Sequence, residues 1–553
     1  MLLTVLLFVV LVAGKGAFFR SENGHWVFGN DHWSVTQGPT HAKPLTYRGK
    51  ELTGRGAGHY MGMNAKSTLK WTSAGIARKG TNFIDVKLTA AEGSLHWVIF
   101  DDLHGAYQYF VNGGLPALGE FRGLWRLDNR TFTHGATAGK EGALPRLPDY
   151  ARAKKVQDET WEKADGSYIT KYDWAGFLRE QDVFGVYGEG VGSWFIHAGK
   201  DYFNGNHLKQ ELMIHRESNS GDTVQLNMIH GTHFQATTSD NFPKGKTWGP
   251  WLWYLNSGSR ADATARAKKE LASWPYTWHT DAAYQARGTV RGILTLSDGR
   301  PAAGAAVFLG DDRPKQTALG MGSNYYYTGY ADATGAFEFK HVRVGTYGLQ
   351  AWANGGKIGD VPGAIELDSV SVAAGKVTDL GSRVWKVRGK GTVFRVGEFD
   401  RKAVGFRYAG GPYQHGLSAK CPATLTWTAG TSKASDWCFA QAAPGSWKVV
   451  FEIGDRPANA TGAAVLTVSL AGYSGSATTV LVNGKTVGGF SNKNLSSDPG
   501  TYRSATTAGE WHQMEYKLEA GALRRGQNVV EFKMTEATRW HGVMWDAVML
   551  EWL

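Results

Sequence analysis

Apolar and polar positions alternate in short runs along most of the chain. Runs such as "HWVIFDD" and "DTVQLNMIH" carry the two-residue period or the brief apolar block of a strand. They recur from about residue 18 to about 280, where one segment breaks the pattern. "SRADATARAKKELASW", rich in Ala, Lys and Glu, predicts a helix near the end of this first unit. Beyond residue 285, "GTVRGILTLSDGRPAAGAAVFLG" and "YYYTGYADATGAFEFKHVRVGTYGLQAWA" set β-branched and aromatic runs between the turn signals "SDGRP", "DATG" and "RVGTY". A third series opens near residue 386 with "GTVFRVGEFDRKAVGFR". It passes through "WTAGTSKASDWCFAQ" and the hairpin-like "TVLVNGKTVG" and closes on "VMWDAVMLEWL". The pattern predicts an all-β protein in three units.

Length agrees, since 553 residues exceed a single core and suit about three domains of roughly 100–250 residues each. The boundaries read as 18–284, 285–385 and 386–553, after an N-terminal segment 1–17. The first unit reads as a large β-sandwich. The second, with its Gly-x-Val-x-Gly opening and the turn around Gly345 and Tyr347, resembles small fibronectin-III-like or carboxypeptidase-regulatory-like sandwiches, which usually act as spacers. The third is similar to the jelly rolls of carbohydrate-binding modules, an analogy that does not by itself prove binding. With 72 Gly and 22 Trp, short strands, tight turns and exposed sugar-stacking aromatics are expected.

The opening "MLLTVLLFVVLVAGKG" is an apolar block too short to span a bilayer. It is expected to be a secretory signal removed near Gly14, although it lacks a positive n-region. No later run approaches membrane length, so a secreted, monomeric protein is expected. Cys421 and Cys438 could close one loop in an oxidising compartment or remain buried thiols. Sequons stand at Asn129, Asn459 and Asn494. The formal net charge of +11 suits an acidic polymer. The absence of a dense Lys/Arg run argues against nucleic acid.

The chain has no Gly-rich phosphate loop, no His-Glu-x-x-His and no Gly-x-Ser-x-Gly, which weakens kinase, zincin and hydrolase readings. Two histidines, His230 and His233, lie in "LNMIHGTHFQ". If the strand ran through both, they would point to opposite faces, which disfavours a shared metal. Arg122 and Arg126 in "GEFRGLWRLD" share a face whether the segment is helical or extended. Two guanidinium forks on one face could grip carboxylates, or could be an ordinary solvated pair.

The run "GVYGEGVGSWFIHAGKDYFNGNHLKQELMIH", followed by "LNMIHGTHFQ" and "WGPWLWYLNSG", resembles the rhamnogalacturonan lyases of polysaccharide lyase family 4 in order and spacing. "KVQDETW" and "SKASDW" agree, so the resemblance covers essentially the whole chain. It implies β-elimination at the rhamnose-(1→4)-galacturonate bond of the pectin backbone rhamnogalacturonan I, leaving an unsaturated galacturonate at the new non-reducing end. The family's catalytic lysine and histidine fall on Lys171 and His233, and its substrate-binding arginines on Arg122 and Arg126. No cofactor is implied for the chemistry. A structural calcium ion is conceivable by analogy, but no ligand loop stands out. There are departures. Gly205-Asn206-His207 replaces the Gly-Gly-Pro of many members, and Leu226 and Met228 stand where some carry aromatics.

The C5 hydrogen of an ionised galacturonate is weakly acidic, so developing charge must be offset by cations aimed at the carboxylate. A base must then reach C5 unprotonated, and the leaving oxygen must gain a proton. Lysine starts near 10.4 and needs burial or neighbouring cations to serve; histidine starts near 6.5. Lys171 as base with His233 as acid is the preferred assignment, and the reverse stays open. A non-catalytic pectin-binding protein and a lyase for another uronate polymer are the competing readings.

Overall fold

The computed structural model describes residues 16–64, 67–236, 239–314, 322, 324–388, 391–454, 462–537 and 541–553. The expected signal segment up to residue 15 and the Asn459 sequon lie outside the described residues. Within them the fold is strand-built, and α-helix is confined to Leu147–Ala151, Arg260–Ser273 and Ala282–Gln285. The sequence-predicted helix is Arg260–Ser273, opened by Ser259, whose Oγ accepts the Asp262 N–H at 3.1 Å. No described helix is long and apolar enough to cross a membrane.

The first region pairs a ten-stranded with a nine-stranded sheet. Alternation along their strands turns Trp97, Trp125, Trp251 and Trp253 inward, where they interlock with Phe28, Trp33 and Phe110. This corrects the expectation that the tryptophans form exposed stacking surfaces. Trp33, Trp97, Trp125, Trp194, Trp248, Trp251, Trp253, Trp352, Trp437, Trp447 and Trp545 are all fully buried. Wide sheets leave a thick interior, and large rings fill it with the most apolar area per residue.

The second region stacks the sheet of Ala336–Arg343, Arg287–Leu296 and Val377–Trp385 on a four-stranded sheet containing Ala306–Asp311 and Gly345–Trp352. The third is a pair of five-stranded sheets. Its "VNGK" hairpin joins Ala477–Val482 to Lys485–Ser491 through Asn483 and Gly484, both at positive φ (49° and 80°). Cys421 and Cys438 are paired as a disulfide, with Cα atoms 5.8 Å apart.

The cores interpenetrate. Tyr172, Ala175 and Phe234 belong to the hydrophobic cluster of the third region, and Ala547 and Met549 to that of the second. Asp201 is buried between Arg287 (3.0 Å) and Arg343 (2.9 Å), tying the first region to the second. His207, at the departure noted above, bonds the Gly329 carbonyl at 2.8 Å and packs on Trp352, so it serves the same junction.

Candidate active site

Arg122 and Arg126 stand on the strand Phe121–Leu127, and their shared parity puts both on the face opposite Trp125. Arg122 lies across from Gly62 and Arg126 from Gly58. A Cβ at position 62 would come within 3.4 Å of Arg122 Nε, so the glycine leaves room for the guanidinium. Arg122 pairs with Glu120 at 3.1 Å. Arg126 donates to Glu217 (3.0 Å) and to the Tyr60 hydroxyl (3.1 Å), with Asp222 at 3.6 Å. Tyr60 and then Glu217 hold the arginine pKa above its usual value despite burial, and a hydrogen bond with His215, followed by the Arg126 pairing, drives Glu217 down to about 2.

Lys171 opens a single 3-10 turn, Lys171–Trp174, capped by Thr170, whose hydroxyl accepts the Tyr172 N–H. The turn sends Trp174 into the first core and Tyr172 into the third, leaving Lys171 between them with 18% of its side chain exposed. Its Nζ lies 4.0 Å from Asp158. Burial lowers the Lys171 pKa, and Arg503 pushes the same way. Asp158, Glu159 and Glu217 oppose them, and the net direction is down. His215, buried beside Glu217 at 3.6 Å, is held near 4 by its loss of water and is therefore neutral at ordinary pH.

The strand Thr223–His230 ends at His230, so the two histidines are not separated by strand alternation as the sequence suggested. Gly231, at φ +100°, turns the chain, and a Cβ there would meet the Gly119 carbonyl at 2.4 Å. His230 is fully buried, bonds Asp240 at 2.9 Å, and has a pKa lowered to about 4 by desolvation. His233 lies beyond the turn, half-buried. Its Nδ1 is 2.7 Å from Glu211 Oε2 and its backbone N–H donates to Glu211 Oε1 at 3.0 Å. That leaves Nε2 as the ring nitrogen available to a substrate. Glu211 is itself fully buried, 3.8 Å from Lys209 Nζ. Lys209 donates to Asn204 Oδ1 at 2.7 Å, an oxygen that also accepts the Gly231 N–H.

Two links join the predicted residues. Glu217 connects Arg126 to the surroundings of Lys171. Arg503 donates to the His233 carbonyl at 2.9 Å, lies 3.8 Å from Asp158, and stacks over Tyr172 at 4.8 Å. Arg122 stands at the His233 end, since Glu120 packs against Gly231. Leu226 and Met228 are buried in the core and offer a sugar no surface. Tyr60, partly exposed beside Arg126, is the aromatic ring at that position. Asp158, Glu211, Glu217, Tyr60 and Arg503 were not singled out by sequence, which holds no short-range signal for them. Among the described residues no group of three or more His, Cys, Asp or Glu could hold a metal ion.

Comparison with known proteins gives the family of the chain. Residues 286–380 match the model of polysaccharide lyase family 4, domain II, and residues 392–550 that of polysaccharide lyase family 4, domain III. The chain is 32% identical over 475 residues to the rhamnogalacturonate lyase of Dickeya dadantii, covering 82% of this chain and 78% of that protein. The chain belongs to polysaccharide lyase family 4. More distant relatives include the probable rhamnogalacturonate lyase B of Aspergillus niger, 26% identical across 60% of this chain, and rhamnogalacturonate lyase B of Emericella nidulans, 26% identical across 58%. The chain spans 52% of the length of each of these two fungal proteins. As a family 4 member, it is a polysaccharide lyase, and the wall carrying Lys171 and His233 is the candidate place for its chemistry.

Proposed function

We propose that the protein is a rhamnogalacturonan endolyase that cleaves the rhamnose-(1→4)-galacturonate bond of rhamnogalacturonan I by β-elimination, outside the cell. The observation that carries this reading is a half-buried lysine with a depressed pKa and a carboxylate-held histidine, linked through Asp158 and Arg503, with Arg122 and Arg126 nearby.

In this reading Arg122 and Arg126 face the galacturonate carboxylate and offset the charge that builds as C5 loses its proton. Both guanidiniums already meet protein carboxylates, so the substrate competes for their remaining N–H donors. Neutral Lys171 takes the C5 proton. The C5 electron pair forms the C4–C5 double bond as the C4–O4 bond breaks. His233 Nε2 delivers a proton to the departing rhamnosyl oxygen while Glu211 holds Nδ1. No water is added, so the products are a rhamnose-terminated fragment and an unsaturated uronate. Incubation with rhamnogalacturonan and ultraviolet detection tests this directly. A rise at the unsaturated-uronate absorbance is expected, whereas new reducing ends without that rise mean hydrolysis and defeat the proposal.

A further inference from the structure

The third region meets the candidate site through more than a linker. The loop 498–510 is pinned from within by Asp498, whose carboxylate accepts the N–H groups of Tyr473 (2.7 Å), Gly500 (2.6 Å) and Glu510 (3.1 Å). It is pinned from outside as well. The Ala508 carbonyl accepts the Gln210 side chain at 2.7 Å, and Gln210 also accepts the Tyr413 hydroxyl. Two side chains of this rigid loop then hold the segment 233–236 by its backbone. Arg503 donates to the His233 carbonyl at 2.9 Å, and Glu510 accepts the Ala236 N–H at 3.2 Å. Tyr172 and Phe234, the residues that follow Lys171 and His233, are packed in the third region's own core, with rings 6.0 Å apart.

We infer that the jelly roll is a working part of the catalytic site, and that Arg503 is a positioning residue that orients His233 and keeps a positive charge beside Lys171. A module tethered only to bind polysaccharide would not need to enclose the neighbours of both reacting groups. The charged and titratable groups facing Lys171 come from three elements: Asp158 and Glu159 from one turn, Glu217 and His215 from Ile214–Arg216 and its end, and Arg503 from the jelly roll. The three carboxylates favour a protonated lysine. Arg503 is the cation among these groups, and with burial it opposes them.

The inference rests on the elimination proposed above, and the test separates the two. Arg503→Gln and Arg503→Lys are made in the full chain, and kcat and KM are followed against pH. Misplacing a reacting group by about 1 Å costs on the order of 10²-fold. For Arg503→Gln, kcat should fall by about that factor with KM little changed. Without the cation the lysine keeps its proton to higher pH, so the rising limb of kcat/KM should move up. Arg503→Lys restores the charge without the planar fork. It should return the limb near its original position while kcat stays low. Unchanged kcat in Arg503→Lys, or an unshifted limb in Arg503→Gln, overturns the inference, as does a loss confined to KM. If Arg503→Gln does not fold, Arg503→Lys alone decides through its kcat. Lys171→Ala and the product assay run in parallel identify the other failures: new reducing ends without unsaturated uronate defeat the proposed function, continued elimination without Lys171 defeats its role as base, and an inactive Lys171→Ala beside a normal Arg503→Gln defeats only this inference.

Discussion

Glu211 grips His233 at two points, its Oε2 at the ring Nδ1 (2.7 Å) and its Oε1 at the backbone N–H (3.0 Å). Because both contacts come from one fully buried carboxylate, ring and backbone cannot turn independently. Glu211→Gln should keep the shape but not both acceptors, lowering turnover by about 10²-fold, within the range for a mispositioned proton donor. Glu211→Ala should in addition lose about 3–5 kcal/mol of stability, because Lys209 is left as a buried charge without its partner. Turnover by the uronate absorbance and melting temperature together distinguish the two variants. A fully active Glu211→Gln would remove Glu211 from the site.

Lys171→Ala and His233→Ala should each reduce elimination by about 10²- to 10⁴-fold. The double variant should be scarcely worse, since groups acting in one step are not additive. His230→Ala should behave differently. His230 is fully buried against Asp240, so its loss should cost about 1–3 kcal/mol of stability and leave most activity in the folded fraction. A folded, inactive His230→Ala alongside an active His233→Ala reverses the assignment.

Affinity for the polyuronate should fall as salt rises, because arginine–carboxylate attraction near the surface is screened. Arg122→Ala, Arg126→Ala and methyl esterification of the galacturonate should each weaken binding. Arg126→Ala should also lower the melting temperature, since Glu217, Asp222 and Tyr60 lose their shared donor. Calorimetric affinity indifferent to both salt and ester would exclude this mode of recognition.

The disulfide closes a short loop, Cys421 to Cys438, at a sequence separation of 17. Replacing both cysteines by serine should cost about 3 kcal/mol on the chain-entropy estimate for such a loop. The loss should appear as a lower melting temperature under oxidising conditions and vanish when the unsubstituted protein is reduced.

His197 is fully buried against Phe184, Phe195 and Phe203, and desolvation lowers its pKa from 6.5 to about 3. The unfolded chain therefore takes up a proton below pH 6.5 that the folded chain refuses. His197 contributes least to stability at low pH, and each unit of acidification from 6.5 toward 3 costs about 1.4 kcal/mol. The stability of the unsubstituted protein relative to His197→Gln should fall by that amount per unit, as read from paired unfolding curves. A pH-independent difference would show that the imidazole is protonated when folded.

The strands at "HWVIFDD" and "DTVQLNMIH", the helix of Arg260–Ser273 and the Asn483-Gly484 hairpin were legible in the sequence because each is set by neighbours a few residues apart. The shared face of Arg122 and Arg126 follows from the same two-residue period. The fate of the tryptophans was not legible, because composition counts rings without saying which face of a sheet receives them. The reading of His230 and His233 failed locally for a related reason: alternation holds only while the strand lasts, and Gly231 ends it. The partners of Lys171 and His233 were out of reach altogether. Glu211 lies 22 residues before His233 and Arg503 lies 270 after it. Charges so far apart in sequence meet only when two cores close on each other, and burying Tyr172 and Phe234 in the jelly roll is what brings them together.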